Sequence, residues 1–82
     1  MNQPEAREQL LEILTEACGR PKPPIRPETD LLDSGLLDSL ALIELLEGIE
    51  DRFGIILEPT RIPRERWRSP SSILRLIEEH QG

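Results

Sequence analysis

Residues 31–48 read LLDSGLLDSLALIELLEG. A small hydroxyl residue, Ser39, follows an acid, Asp38, and opens a leucine-rich run. From there Leu42, Leu45, Leu46, Ile49 and Phe53 recur at helical spacing and fall within an arc of roughly 100°. This periodicity predicts a helix over residues 39–53, ended by Gly54. Its far side carries Glu44, Glu47 and Asp51 in a row, and Leu40 and Ile43 flank that row outside the core arc. Two readings of the flank stay open. It is a small contact patch, or it is ordinary scattered surface aliphatics beside acids that suit the helix dipole.

Upstream, residues 4–18 predict a first helix. Pro4 suits its first turn, Ala6, Leu10, Ile13, Leu14 and Ala17 form one apolar stripe, and Gly19 ends it. Cys18, at the edge of the stripe, reads as a small core residue. Four prolines between residues 21 and 27 forbid a regular helix, so residues 20–38 form a long loop. Leu31, Leu32, Leu36 and Leu37 are too apolar to leave in water and should pin that loop to the helices.

Downstream, residues 55–70 are a connector with one short helical turn around 63–67, and Ile62 and Trp67 are its expected anchors. Ser69-Pro70 reads as an N-cap followed by proline at the first helical position. The last helix runs to about residue 80, with Ile73, Leu76 and Ile77 inward. The expected fold is all-α. Residues 1–82 form a single domain, a small antiparallel bundle of three main helices plus one short turn.

Composition narrows the function. The net charge of −6 argues against nucleic-acid binding, which relies on cationic surface. One cysteine allows no internal disulfide, and no His/Cys cluster has metal-ligand spacing. No secretory signal or membrane-spanning run is visible, so a cytoplasmic monomer is expected.

Ser39 then has three candidate roles. A catalytic nucleophile needs a nearby base, and the sole histidine, His80, lies at the far end of the chain, roughly on the core side of a fraying helix terminus. An N-cap is a serious alternative, because Asp38 and Ser39 both cap well. The third role is a modified serine: a hydroxyl at a helix start is exposed, and free amides there welcome a phosphodiester. Asp38 would help an incoming enzyme place a metal ion.

The stretch GLLDSLALIELLEGIEDRFGI, residues 35–55, resembles the phosphopantetheine attachment region of acyl carrier proteins. Gly35, the Asp38-Ser39-Leu40 triplet, Ile43-Glu44-Leu45 and Phe53-Gly54 carry the likeness. RERWRSPSSI, residues 64–73, and TEACG at the end of the first helix are similar to D-alanyl carrier proteins. The resemblance implies an acyl-carrier-like fold that performs no chemistry itself. A phosphopantetheinyl transferase would move 4′-phosphopantetheine from coenzyme A onto Ser39. A ligase would adenylate D-alanine and load it as a thioester, and a membrane-associated acyl transferase would pass it to lipoteichoic acid. By position Asp38, Leu40, Ile43, Glu44 and Glu47 would form the docking face, with Trp67 and its flanking arginines nearby.

The chain departs from that pattern in two places. Ala41-Leu42 stands where a small Gly-Thr pair is common. Residues 61–68 hold four arginines against one glutamate, net +3, beside residues 38–58 with six acids against Arg52, net −5. That basic turn either balances the acidic helix or selects a different partner. Two alternatives remain open: a stand-alone acyl or aminoacyl carrier for a specialised pathway, and a helical interaction adaptor without a prosthetic group.

Overall fold

The computed structural model describes residues 3–81, with side chains from Glu5 onward. Helix α1 spans Gln3–Ala17, α2 spans Ser39–Phe53 and α3 spans Pro70–Gln81. No strand occurs among the described residues. The connector between α2 and α3 holds two single 3-10 turns, Pro59–Arg61 and Arg64–Trp67, where the sequence suggested one. Each begins at a proline, Pro59 inside the first and Pro63 just before the second, whose fixed φ starts a turn. Ile62 between them is extended and keeps them from merging.

α1 packs against both α2 and α3. Its last residue, Ala17, and the following Cys18 share a groove with Asp38, Leu40 and Ala41 at the start of α2. Farther back along α1, Glu12 pairs with Arg52 at the end of α2. The two helices are therefore antiparallel. Gly48 sets their spacing: a Cβ there would sit 2.5 Å from Ile13 Cγ2. Glycine inside a helix costs about 1 kcal/mol relative to alanine, so its presence here trades helix propensity for close approach.

That contact corrects the arc read from the sequence. The buried positions of α2 are Ala41, Leu45 and Ile49, while Leu42, Leu46 and Phe53 are only half-buried. The large aliphatics suggested one centre for the face. The small residues Ala41 and Gly48, which admit α1, rotate it. Gly54 ends α2 in the left-handed region at φ 68°, its amide donating to the Glu50 carbonyl at 2.9 Å.

Past Gly54 the chain alternates, with Ile55 and Leu57 buried and Ile56 71% exposed. Both buried residues, together with Ile25 of the proline-rich loop and Leu74 of α3, join the core without having been expected there. Leu31 is fully buried, worth about 2 kcal/mol for a side chain of its size. Leu32, Leu36 and Leu37 pack partly buried against the same cluster, so the loop is pinned as anticipated. Ile62 is a partial anchor and Trp67 a full one.

α3 starts as its sequence suggests. Ser69 Oγ accepts the Ser72 amide at 3.2 Å, and Pro70 is the first helical residue. Ile73, Leu76 and Ile77 face inward. His80 is exposed and still helical, so it belongs to neither the core side nor a frayed end; its Nδ1 lies 2.9 Å from the Leu76 carbonyl oxygen.

Candidate functional site

The site forms where the long loop meets α2. Asp30 Oδ1 accepts the amides of Leu32 at 3.1 Å and Asp33 at 2.9 Å, which curls the chain. The Leu37 amide donates to the Leu31 carbonyl at 3.0 Å and closes the turn just before Asp38. Asp38 is extended, at φ −84° and ψ −174°. Its Oδ1 accepts the Ala41 amide at 2.8 Å and its carbonyl accepts the Leu42 amide at 2.9 Å. Asp38 is thus the N-cap, and Ser39 is the first residue inside the helix.

With Asp38 as the cap, Ser39 is free of that task. The residue is exposed, and its hydroxyl makes no hydrogen bond among the described residues. The amides of Ser39 and Leu40 precede Leu42, the first amide to donate within the helix, and lie at the positive end of the helix dipole. A phosphodiester on Ser39 Oγ would meet solvent, two unused donors and a favourable dipole. The residues present fit a phosphopantetheine group.

Along α2, Leu40 is 66% and Ile43 54% exposed. Glu44, Glu47 and Asp51 are exposed beside them and form no ion pair among the described residues. Four of the expected docking residues, Leu40, Ile43, Glu44 and Glu47, therefore lie on one accessible helix surface. Trp67 does not join them. Its side chain is 4% exposed, because the indole is the largest apolar group on the connector and fills the core. It supports the domain from beneath and presents no surface to a partner.

Cys18, half-buried, lines a shallow groove with Asp38, Leu40 and Glu44. Burial pushes its thiol above the ordinary range, and the negative charges of Asp38 and Glu44 add to the rise. His80 shares a different groove with Ile56 and Glu58, beyond the C-terminal end of α2. Ser39 opens that helix, about 22 Å away along a 15-residue span. The histidine is out of reach as a base. A cleft of about 910 Å³ runs between α1 and α2, lined by Ile13 and Gly48 among others, and does not include Ser39.

The basic turn is neutralised locally. Arg61 pairs with Glu58 at 3.4 Å and Arg66 with Glu79 at 2.9 Å. Arg68 reaches Asp30 at 2.9 Å, Asp33 at 3.2 Å and also Glu65. Of the four arginines of the turn, Arg64 alone forms no ion pair among the described residues. The arginines balance the loop, the connector and α3, and not the acidic row of α2. Sequence reasoning missed Asp30, Asp33 and Arg68 as parts of the site, since nothing local signals a pairing across 38 residues.

Ala41, one of the two positions that depart from Gly-Thr, is 3% exposed and shares a groove with Ala17 and Cys18 at the end of α1; nothing in the structure explains the departure.

Comparison with known proteins agrees with this geometry. Residues 8–77 match the phosphopantetheine attachment site family. The chain is 35% identical over 75 residues to the D-alanyl carrier protein of Bacillus velezensis, covering 92% of this chain and 96% of that one. It is 33% identical over 73 residues to the D-alanyl carrier protein of Bacillus subtilis, covering 89% and 94%. No helix among the described residues is long and apolar enough to cross a membrane. With a match over most of its length, a capped helix and a free serine at its first position, the chain belongs to the family of phosphopantetheine-bearing carrier proteins.

Proposed function

We propose that the protein carries D-alanine as a thioester on a 4′-phosphopantetheine arm attached to Ser39, for transfer to lipoteichoic acid. The observation that carries this reading is the division of labour at the start of α2: Asp38 caps the helix, and the exposed Ser39 hydroxyl is left unbonded. The relatives named D-alanyl carrier protein, alike over nearly the whole chain, support the choice of cargo.

In attachment, Ser39 Oγ forms the new bond to phosphorus, its proton is lost, and the nucleotide half of coenzyme A leaves. A phosphopantetheinyl transferase catalyses that step, with the Asp38 carboxylate helping to place its metal ion. A cytoplasmic ligase then adenylates D-alanine and loads the arm, and a membrane-associated acyl transferase unloads it. The carrier supplies the tether and the surface that these enzymes meet, Leu40 and Ile43 with Glu44 and Glu47. It contributes no catalytic residue of its own, and it acts as a monomer.

The test is a loading panel. The arm-bearing protein is incubated with ATP, a D-alanine ligase, and D-alanine, L-alanine or other amino acids, and in parallel with fatty-acyl donors and their ligases. Thioester formation with D-alanine in preference to the rest is expected. Loading by another acid with none by D-alanine would identify a carrier for a different pathway. Failure to accept any arm would leave an interaction adaptor.

A further inference from the structure

Residues 20–38 form neither helix nor strand, yet the end of this segment delivers Ser39. What fixes its position is concentrated on one residue of the basic turn. The Arg68 carbonyl accepts the Leu31 amide at 2.6 Å. Its guanidinium takes three carboxylates: Nη1 bonds Asp30 Oδ2 at 2.9 Å and pairs with Asp33 at 3.2 Å, while Nε and Nη2 fork onto Glu65. Asp30 is shared between the two halves of the device. Its Oδ2 meets Arg68, and its Oδ1 holds the amides that curl residues 30–33. The Leu37 to Leu31 bond then passes that geometry to Asp38 and Ser39. Nearby, Ser71 ties the same loop to α3 through its amide to the Pro27 carbonyl at 3.0 Å and its hydroxyl to Glu28 at 3.1 Å.

An isolated surface ion pair contributes little, but converging networks and forked guanidinium contacts contribute more. Arg68 differs from its neighbours in this respect. Its side chain is 31% exposed, against 80% for Arg61, whose one partner is Glu58. Without the guanidinium, three carboxylates would face one another and repel.

We propose that Arg68 is a positioning residue for prosthetic-group transfer: it clamps the turn of residues 30–37 to the start of α3 and so presents Ser39 to the transferase in a single orientation. The inference rests on Ser39 being the attachment point.

The experiment measures transfer of phosphopantetheine from coenzyme A by a broad-specificity transferase, with the carrier concentration varied, for wild type, Arg68→Gln, Arg68→Lys and Arg61→Gln. Thermal unfolding and amide exchange at Leu31 and Leu37 are followed on the same samples. If the competent orientation falls to about a tenth of the population, KM for Arg68→Gln rises about tenfold with kcat within about twofold. Both amides then exchange faster, Arg68→Lys recovers part of the loss, and Arg61→Gln matches wild type. A wild-type protein that takes no arm refutes the Ser39 reading itself. A wild type that is loaded, with Arg68→Gln losing only melting temperature at unchanged KM, overturns the role of Arg68. So does an equal KM rise in Arg61→Gln, which would be a general charge effect. Should Arg68→Gln fail to fold, Asp33→Asn decides. That carboxylate is 75% exposed and serves the clamp, so a raised KM at unchanged melting temperature supports the proposal and an unchanged KM overturns it.

Discussion

Asp38 Oδ1 accepts the Ala41 amide at 2.8 Å. This one bond decides which of two adjacent capping residues closes the helix and which is left available. It also makes the two properties of Asp38 separable. Asparagine caps as well as aspartate, whereas alanine forfeits about 1 kcal/mol. Asp38→Asn is expected to unfold at the wild-type denaturant midpoint while taking up phosphopantetheine roughly 10- to 100-fold more slowly, the usual scale for losing a group that supports a metal. Asp38→Ala is expected to lose both. Equal loading rates for Asp38→Asn and wild type would restrict Asp38 to capping.

Gly48 offers a test of the packing. On helix propensity alone, Gly48→Ala gains about 1 kcal/mol. The added Cβ would lie 2.5 Å from the branched methyl of buried Ile13, which is stiff at χ1. Overpacking of this kind costs about 1–3 kcal/mol, so net destabilisation is expected in urea titration. Combining it with Ile13→Ala should cost less than the sum of the single changes, because the two sites touch. Strict additivity would contradict the close approach of α1 and α2.

Local pattern explains what was readable in the sequence. The α2 boundaries, the glycine that ends it, the Ser69-Pro70 start of α3 and the serine at the helix entrance are each encoded within a few residues. What could not be read is non-local. Ala41 and Gly48 look like weak apolar positions until α1 is laid against them. Ile25, Ile55 and Leu57 sit in segments without helical periodicity, and only the assembled fold buries them. Trp67 was legible as an anchor for the reason that disqualifies it as a docking residue: so large an apolar group is taken by the core. The net charge of the basic turn was visible, but its partners, Asp30 and Asp33, lie a full loop and helix away.

Acid should loosen the clamp in a defined direction. The Asp33 amide, and then Arg68, hold the Asp30 carboxyl below its usual range, and the Arg68 hydrogen bond does the same for Glu65. A lowered folded-state value means that the unfolded chain binds more protons, so stability rises with pH across that interval. The contribution is complete above the ordinary carboxylate range of about 4 and is lost as pH falls through the lowered values. Unfolding curves between neutral and strongly acidic pH should show an acid limb that is shallower in Asp30→Asn, which keeps the turn acceptor and loses the charge. An unchanged limb would remove Asp30 from the account.

Cys18 should be the slow thiol of the arm-bearing protein. Burial and two neighbouring acids keep it protonated, and the thiolate is the reactive form. Maleimide labelling near neutral pH is expected to modify the arm first and Cys18 several-fold later, with Cys18→Ser leaving the fast phase intact. A fast phase that disappears in Cys18→Ser would show that the wrong sulfur had been assigned.

The most direct test of the whole account weighs the protein. After incubation with coenzyme A and a phosphopantetheinyl transferase, intact-mass analysis of wild type should show the addition of one phosphopantetheine, mapped by fragmentation to Ser39, and Ser39→Ala should show none. A wild-type chain that gains no mass, or a Ser39→Ala chain that still does, would contradict it.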